Sequence, residues 1–159
     1  MVILGIDPGT TRIGFGVIEK NKNNLNCLGY GLLSNASTSS SKVPLSKQDV
    51  IQEINRLVAL YKPDVAVIEK IFFFKNQKTL IPVSEMRGVI LVGLALANIP
   101  IHEFTPLQVK KAVSSYGRAG KDQVQSMVRL ILNIKETISP DDAADGLAIA
   151  ICYANTVSY

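Results

Sequence analysis

Four carboxylates stand at positions that solubility alone does not explain. Asp7 closes the hydrophobic run "VILGI" and is followed at once by Pro8-Gly9, and Glu69 closes the run "VAVI". In α/β sheets, ligands collect beyond the carboxyl ends of strands, so two acids at two strand ends meet at one site if the strands are parallel neighbours. Taken singly, each also reads as a solvated strand terminus. The stretch "SPDDAADGLAIAI" changes that balance. Ser139 reads as a helix N-cap, Pro140 as the first helical residue and Asp142 as the third member of a capping box. Asp141 and Asp142 therefore have a structural reading, complementing the helix dipole. Asp145 lies beyond the first turn. Positions 142, 145, 149 and 152 follow the spacing of one helix face, so Asp142 and Asp145 continue a stripe completed by Ile149 and Cys152.

A buried carboxylate without a counter-charge is costly, and no Lys or Arg occurs between Glu136 and Tyr159. A metal ion is the economical partner, with a distant arginine as the alternative. Asp7, Glu69, Asp142 and Asp145 form an oxygen-only donor set, which suits Mg²⁺ or Mn²⁺ rather than Zn²⁺. Two such ions, roughly 3.5–4 Å apart, clamp the attacking and leaving oxygens of a phosphoryl displacement. The single histidine, His102, sits on a short strand and reads as structural. Cys27 and Cys152 show no metal or redox spacing and read as reduced core residues.

The elements that must carry these groups follow from periodicity. Residues 2–7, 13–19 and 25–33 read as three strands of an antiparallel meander, separated by turn residues. "SNASTSSSK" is a solvated loop. Residues 45–60 have helical spacing, and "DVAVIEK" is a short strand. A helix over 84–98 follows, its start delayed by Pro82. "PIHEFTP" is another strand, and helices over 106–113, 121–132 and 140–154 complete the chain. A meander followed by helix-linked strands predicts an α/β fold with a mixed five-stranded sheet flanked by helices.

Composition bounds the partners. With 159 residues, 47% hydrophobic and 19% charged, the chain reads as a single globular domain over 1–159. A net charge of +4 and a pI near 9.1 favour a polyanionic partner only mildly. The N-terminus lacks signal-peptide features, and "GVILVGLALANI" is too short to span a bilayer, so a cytoplasmic protein with no membrane contact is expected.

In order along the chain, "GIDPGTTRIGFGVIE", "IEKIFFFKN", "RGV", "QVKKAV" with "GKDQVQSMV", and "PDDAADGLAIAI" resemble the successive motifs of the RuvC Holliday-junction resolvases, from about Ile3 to Ala154. The resemblance implies an RNase H-like fold, a homodimer, Mg²⁺-dependent nicking of four-way DNA junctions, and RuvA and RuvB branch-migration proteins as partners. The family's acidic ligands fall on Asp7, Glu69, Asp142 and Asp145, and its base-stacking aromatic on Phe72, with Phe73 and Phe74 beside it. Lys110 and Lys121 match basic positions near the scissile phosphate. Lys121, after a Gly-containing loop and at a helix start, is the better candidate for charge stabilisation or proton transfer. Lys75, Lys78, Arg87, Lys111 and Arg118 are further candidates for backbone contacts, with surface solubilisation as the default. The chain departs from the family pattern at Lys70, where Gln is usual, in "TLIPVSE", and at Gly146, where Ala is usual and where glycine should loosen the last helix.

Other readings remain at this point. The first hairpin also resembles that of actin-like and sugar-kinase-like ATP-binding modules, but those need a second domain and a second phosphate hairpin. A non-catalytic junction scaffold should lack a ligand, whereas all four are present. A relative acting on RNA or on other branched DNA stays open.

Overall fold

The strand "VILGID" is apolar at consecutive positions, which suits a strand covered on both faces, and it becomes the centre of the sheet. In the computed structural model, which describes residues 1–22, 24–34, 45–71 and 77–157, the order is β1 (Val2–Asp7), β2 (Gly14–Asn21), β3 (Asn24–Leu32), α1 (Lys47–Tyr61), β4 (Val65–Glu69), α2 (Gln77–Leu96), β5 (Ile101–Phe104), α3 (Pro106–Ser114), α4 (Lys121–Ile131) and α5 (Asp141–Thr156). The five strands form one sheet in the order β3-β2-β1-β4-β5. β1–β2 and β2–β3 are antiparallel, and β4 and β5 run parallel to β1. This is the mixed architecture expected from the sequence, with a helical layer on each face.

Strand parity sorts the core. Ile3, Ile18, Val65 and Val67 pack into the layer made by α3, α4 and α5. Leu4, Ile6, Phe15, Val17, Ala66 and Ile68 face α1 and α2. Asp7 shares the parity of Ile3, and Glu69 that of Val65 and Val67, so both carboxylates belong to the α5 side. In the β1–β4 register Ile6 lies opposite Ile68, which ends the two strands side by side.

Glycines set how closely α5 lies on that side. A Cβ at Gly5 would stand 2.2 Å from the Gly146 carbonyl oxygen, and one at Gly16 would stand 2.5 Å from the Leu147 nitrogen. A Cβ at Gly146 would meet the Phe15 carbonyl carbon at 2.6 Å. The contact is backbone against backbone. Gly146 thus fits helix to sheet, and the expectation that it merely loosens the helix is corrected. Lys20 on β2 donates to the carbonyls of Ala154 and Val157, taking up acceptors that the C-terminus of α5 leaves open.

Two further expectations change. α2 begins at Gln77, so Pro82 lies inside the helix instead of delaying it. Pro82 itself is exposed, and a proline inside a helix leaves its own hydrogen bond to the preceding turn unmade. At α5 the N-cap is Pro140, one residue later than expected, with no side-chain cap and therefore no capping box on Ser139. Two other helices are capped by side chains. Ser46 with Asp49, and Thr105 with Gln108, form reciprocal boxes at α1 and α3.

Candidate active site

The site is built where the carboxyl ends of β1 and β4 meet the first turns of α5. Asp7 and Glu69 come from the strand ends, and Asp142 and Asp145 from one face of the helix. A cleft of about 670 Å³ opens there, lined by Asp7, Glu69, Asp145, Lys110, Lys121 and Leu107 among others. The carboxylates act on one another. Asp7 is pushed up to about 8, first by burial and then by the charges of Asp145, Glu69 and Asp142, with Lys121 opposing. Asp145 is also raised, by burial foremost, with Lys121 opposing and Asp142 adding.

Two cations from other elements answer two of the acids. Arg12, in the turn between β1 and β2, places its Nε 3.6 Å from Asp142 Oδ2. Lys121, the first residue of α4, places its Nζ 4.0 Å from Asp145 Oδ2. The arginine alternative raised by the sequence is thus realised for Asp142, by a residue not singled out there. Its one sequence signal is a position five residues past Asp7 in the same turn. Asp141 stands apart from the four. Its Oδ1 accepts from Gln125 Nε2 of α4 at 2.9 Å, which ties the helix start down without a cap.

The donor chemistry fits divalent ions. The acids are oxygen-only, mutually repelling and partly withdrawn from water, the condition a hard cation relieves. Among the described residues, no three acidic, histidine or cysteine side chains are already drawn together tightly enough to hold an ion. His102 is remote in function, exposed on β5 with its ring 4.8 Å from that of Tyr153. Burial pushes the Cys152 thiol up to about 11 and raises that of Cys27, so neither is a ready ligand.

The remaining sequence candidates separate. Lys110 and Lys121 line the cleft. Lys111 and Arg118 are exposed on α3 and in the loop after it, at hand for a backbone but not lining the cleft. Arg87 is withdrawn from solvent. It pairs with Glu103, and its Nε donates to the Glu69 carbonyl oxygen at 3.4 Å, so it braces the end of β4. Phe72, Phe73, Phe74 and Lys75 lie outside the described residues, and the side chain of Lys78 does too.

A family model for the crossover junction endodeoxyribonuclease RuvC matches residues 3–153. The chain belongs to the RuvC family. It is 48% identical to the RuvC of Petrotoga mobilis over 155 residues, covering 98% of this chain and 94% of that one. It is 46% identical to the RuvC of Halothermothrix orenii, over 98% of this chain and 93% of that one. Among solved structures it resembles Thermus thermophilus RuvC in complex with a Holliday junction substrate, at 32% identity and a TM-score of 0.82, covering 97% and 93% of the two chains. The mixed sheet and its helices are thus the RNase H-like fold of RuvC, and membership carries the nuclease class and a general dependence on divalent metal. The ATP-binding alternative falls with it.

Proposed function

We propose that this RuvC chain resolves four-way DNA junctions by paired nicks on opposed strands, serving recombination and repair, with Asp7, Glu69, Asp142 and Asp145 as its metal ligands. The observation that carries the reading is the convergence of these acids from two strand ends and one helix face, felt at Asp7, whose carboxyl is raised by burial first and then by the other three. Two divalent ions, Mg²⁺ with Mn²⁺ as a substitute, supply Lewis-acid stabilisation of the attacking and leaving oxygens when bound. The chain's own groups do the rest. Asp142 and Asp145, fixed on one helix face, orient the ligand shell against Asp7 and Glu69. Lys121 extends its ammonium from the rim of the cleft toward the charge that develops on the phosphate. Lys110 in the cleft, with Lys75, Lys111 and Arg118 around it, holds the backbone by charge, and Phe72 and Phe73 stack on unpaired bases at the crossover.

Paired nicks need two such sites, and α2 offers a surface for a second copy. Ile81, Val92 and Leu96 are 69%, 52% and 71% exposed, and with Gly88 they follow one face of the helix. A Cβ at Gly88 would meet nothing within 4 Å. A self-complementary apolar stripe of this kind suits a two-fold homodimer. RuvA and RuvB complete the proposed partners by family resemblance.

The test is nicking of a synthetic four-way junction with and without Mg²⁺, beside a plain duplex and an RNA–DNA hybrid. Symmetric nicks on the junction alone, lost without the ion and reduced at least 10³-fold in Asp7→Asn, are expected. An uncut junction, or full activity in Asp7→Asn, overturns the reading.

A further inference from the structure

The turn joining β1 to β2 is held against the start of α5. A Cβ at Gly9 would lie 2.0 Å from the Arg12 carbonyl oxygen, so the turn folds back on itself. A Cβ at Gly14 would lie 1.8 Å from the Asp142 carbonyl oxygen, so the first residue of β2 touches the helix backbone. Between those two contacts sits Arg12, with its guanidinium beside Asp142. The position is fixed by backbone, but the pair itself is loose. At 3.6 Å it exceeds hydrogen-bond reach, and the two side chains are 52% and 28% exposed. An ion pair of that kind is weak and easily exchanged.

From this geometry we propose that Arg12 is a positioning residue that reserves Asp142 while the site holds no ion, and releases it on metal binding to engage the DNA backbone. The inference rests on the proposed metal site. A carboxylate oxygen facing a guanidinium has to leave that pair to enter a ligand shell. On metal binding, the ion takes over the charge that Arg12 was neutralising. The guanidinium, half exposed beside an acid that acts on Asp7, then gains a phosphate as its natural partner. Metal binding and DNA binding are thereby coupled through one side chain, each favouring the other.

Two measurements on the full-length chain test it. Mn²⁺ binding without DNA is followed by calorimetry for wild type, Arg12→Gln and Asp7→Asn. Arg12→Gln should bind about two- to fivefold more tightly than wild type, the size of an exposed ion pair. A residue that merely pre-shaped Asp142 for the ion would give weaker binding on removal, and equal or weaker binding overturns the inference. The salt dependence of binding to a junction with non-hydrolysable linkages is then compared with and without Mn²⁺. Arg12→Gln should lower the log–log slope by about one in Mn²⁺ and leave it unchanged in the metal-free protein. Equal changes in both states also overturn it. If wild type and Arg12→Gln both fail to bind Mn²⁺, the metal-site reading itself falls and takes the inference with it. If wild type binds and Asp7→Asn does not, the site stands whatever Arg12 does.

Discussion

At the scale of single residues, Asp7 couples the chemistry to the protonation state. Its carboxyl, raised to about 8 by burial and by three neighbouring acids, keeps a proton at neutral pH in the metal-free protein. Below about pH 4 both the folded and the unfolded chain hold that proton, and it costs nothing. Between about 4 and 8 the unfolded chain releases it while the folded chain keeps it, so the folded state binds more protons and stability falls as pH rises. Above 8 the loss is constant. Asp7→Asn should therefore raise the melting temperature of the metal-free protein at pH 8, by about 3–6 °C or roughly 1–2 kcal/mol, and leave it unchanged near pH 4. Thermal scans in chelator at the two pH values check this, and an equal shift at both would show that the Asp7 carboxyl is not raised. The acids themselves were legible from sequence, because a carboxylate at a strand end or deep in an apolar helix is locally anomalous. Of their cationic partners, Lys121 was legible too, and Arg12 was not. Arg12 and Arg87 are ordinary surface residues by local pattern, and only the folded chain brings one to Asp142 and the other to the end of β4.

At the scale of elements, the site depends on how closely one helix approaches two strands. The placing of Asp142 and Asp145 against Asp7 depends on the seating of α5 on β1 and β2, and that seating uses Gly5, Gly14, Gly16 and Gly146. Periodicity located the strands and helices to within a few residues, except the start of α2, which lies seven residues before the expected one. It carried no information on this approach, which involves glycines far apart in the chain. The misjudged start of α5 has a related cause. Ser139 satisfies the local capping pattern, yet the helix begins at Asp141, where Gln125 of α4 anchors it. Gly146→Ala should force α5 away from backbone atoms at 2.6–2.7 Å that have no rotamer to yield. The expected cost is about 1–3 kcal/mol of stability. On the proposed ligand set, Mn²⁺ affinity should also fall, because Asp142 and Asp145 retreat from Asp7 and Glu69. Denaturation and Mn²⁺ titration on the same sample separate the effects. A stability loss with unchanged affinity would show that the ligand set tolerates the shift.

At the scale of the whole molecule, the sheet divides labour between its faces. The α5 side carries the acids and the cleft, while α2, on the opposite side, turns Met86, Ile90 and Leu94 inward and Ile81, Val92 and Leu96 outward. The run "GVILVGLAL" within this helix is apolar at nearly every position, which by itself gives no means of telling a buried face from an unpartnered one. A second copy packed on the outer stripe would cover surface that is otherwise costly to expose, and would fix two catalytic clefts in one particle. Val92→Asp places a charge in the middle of that stripe, at a position 52% exposed in the single chain. The fold should therefore hold, with a melting temperature lowered only by the loss of the partner. Sedimentation at micromolar concentration should shift from a dimer to a species near 17.2 kDa. The variant should still nick junctions but no longer cut both strands within one binding event, so nicked intermediates accumulate where wild type yields resolved duplexes. A wild type that sediments as a monomer, or a Val92→Asp that stays dimeric and resolves junctions normally, would remove α2 as the interface.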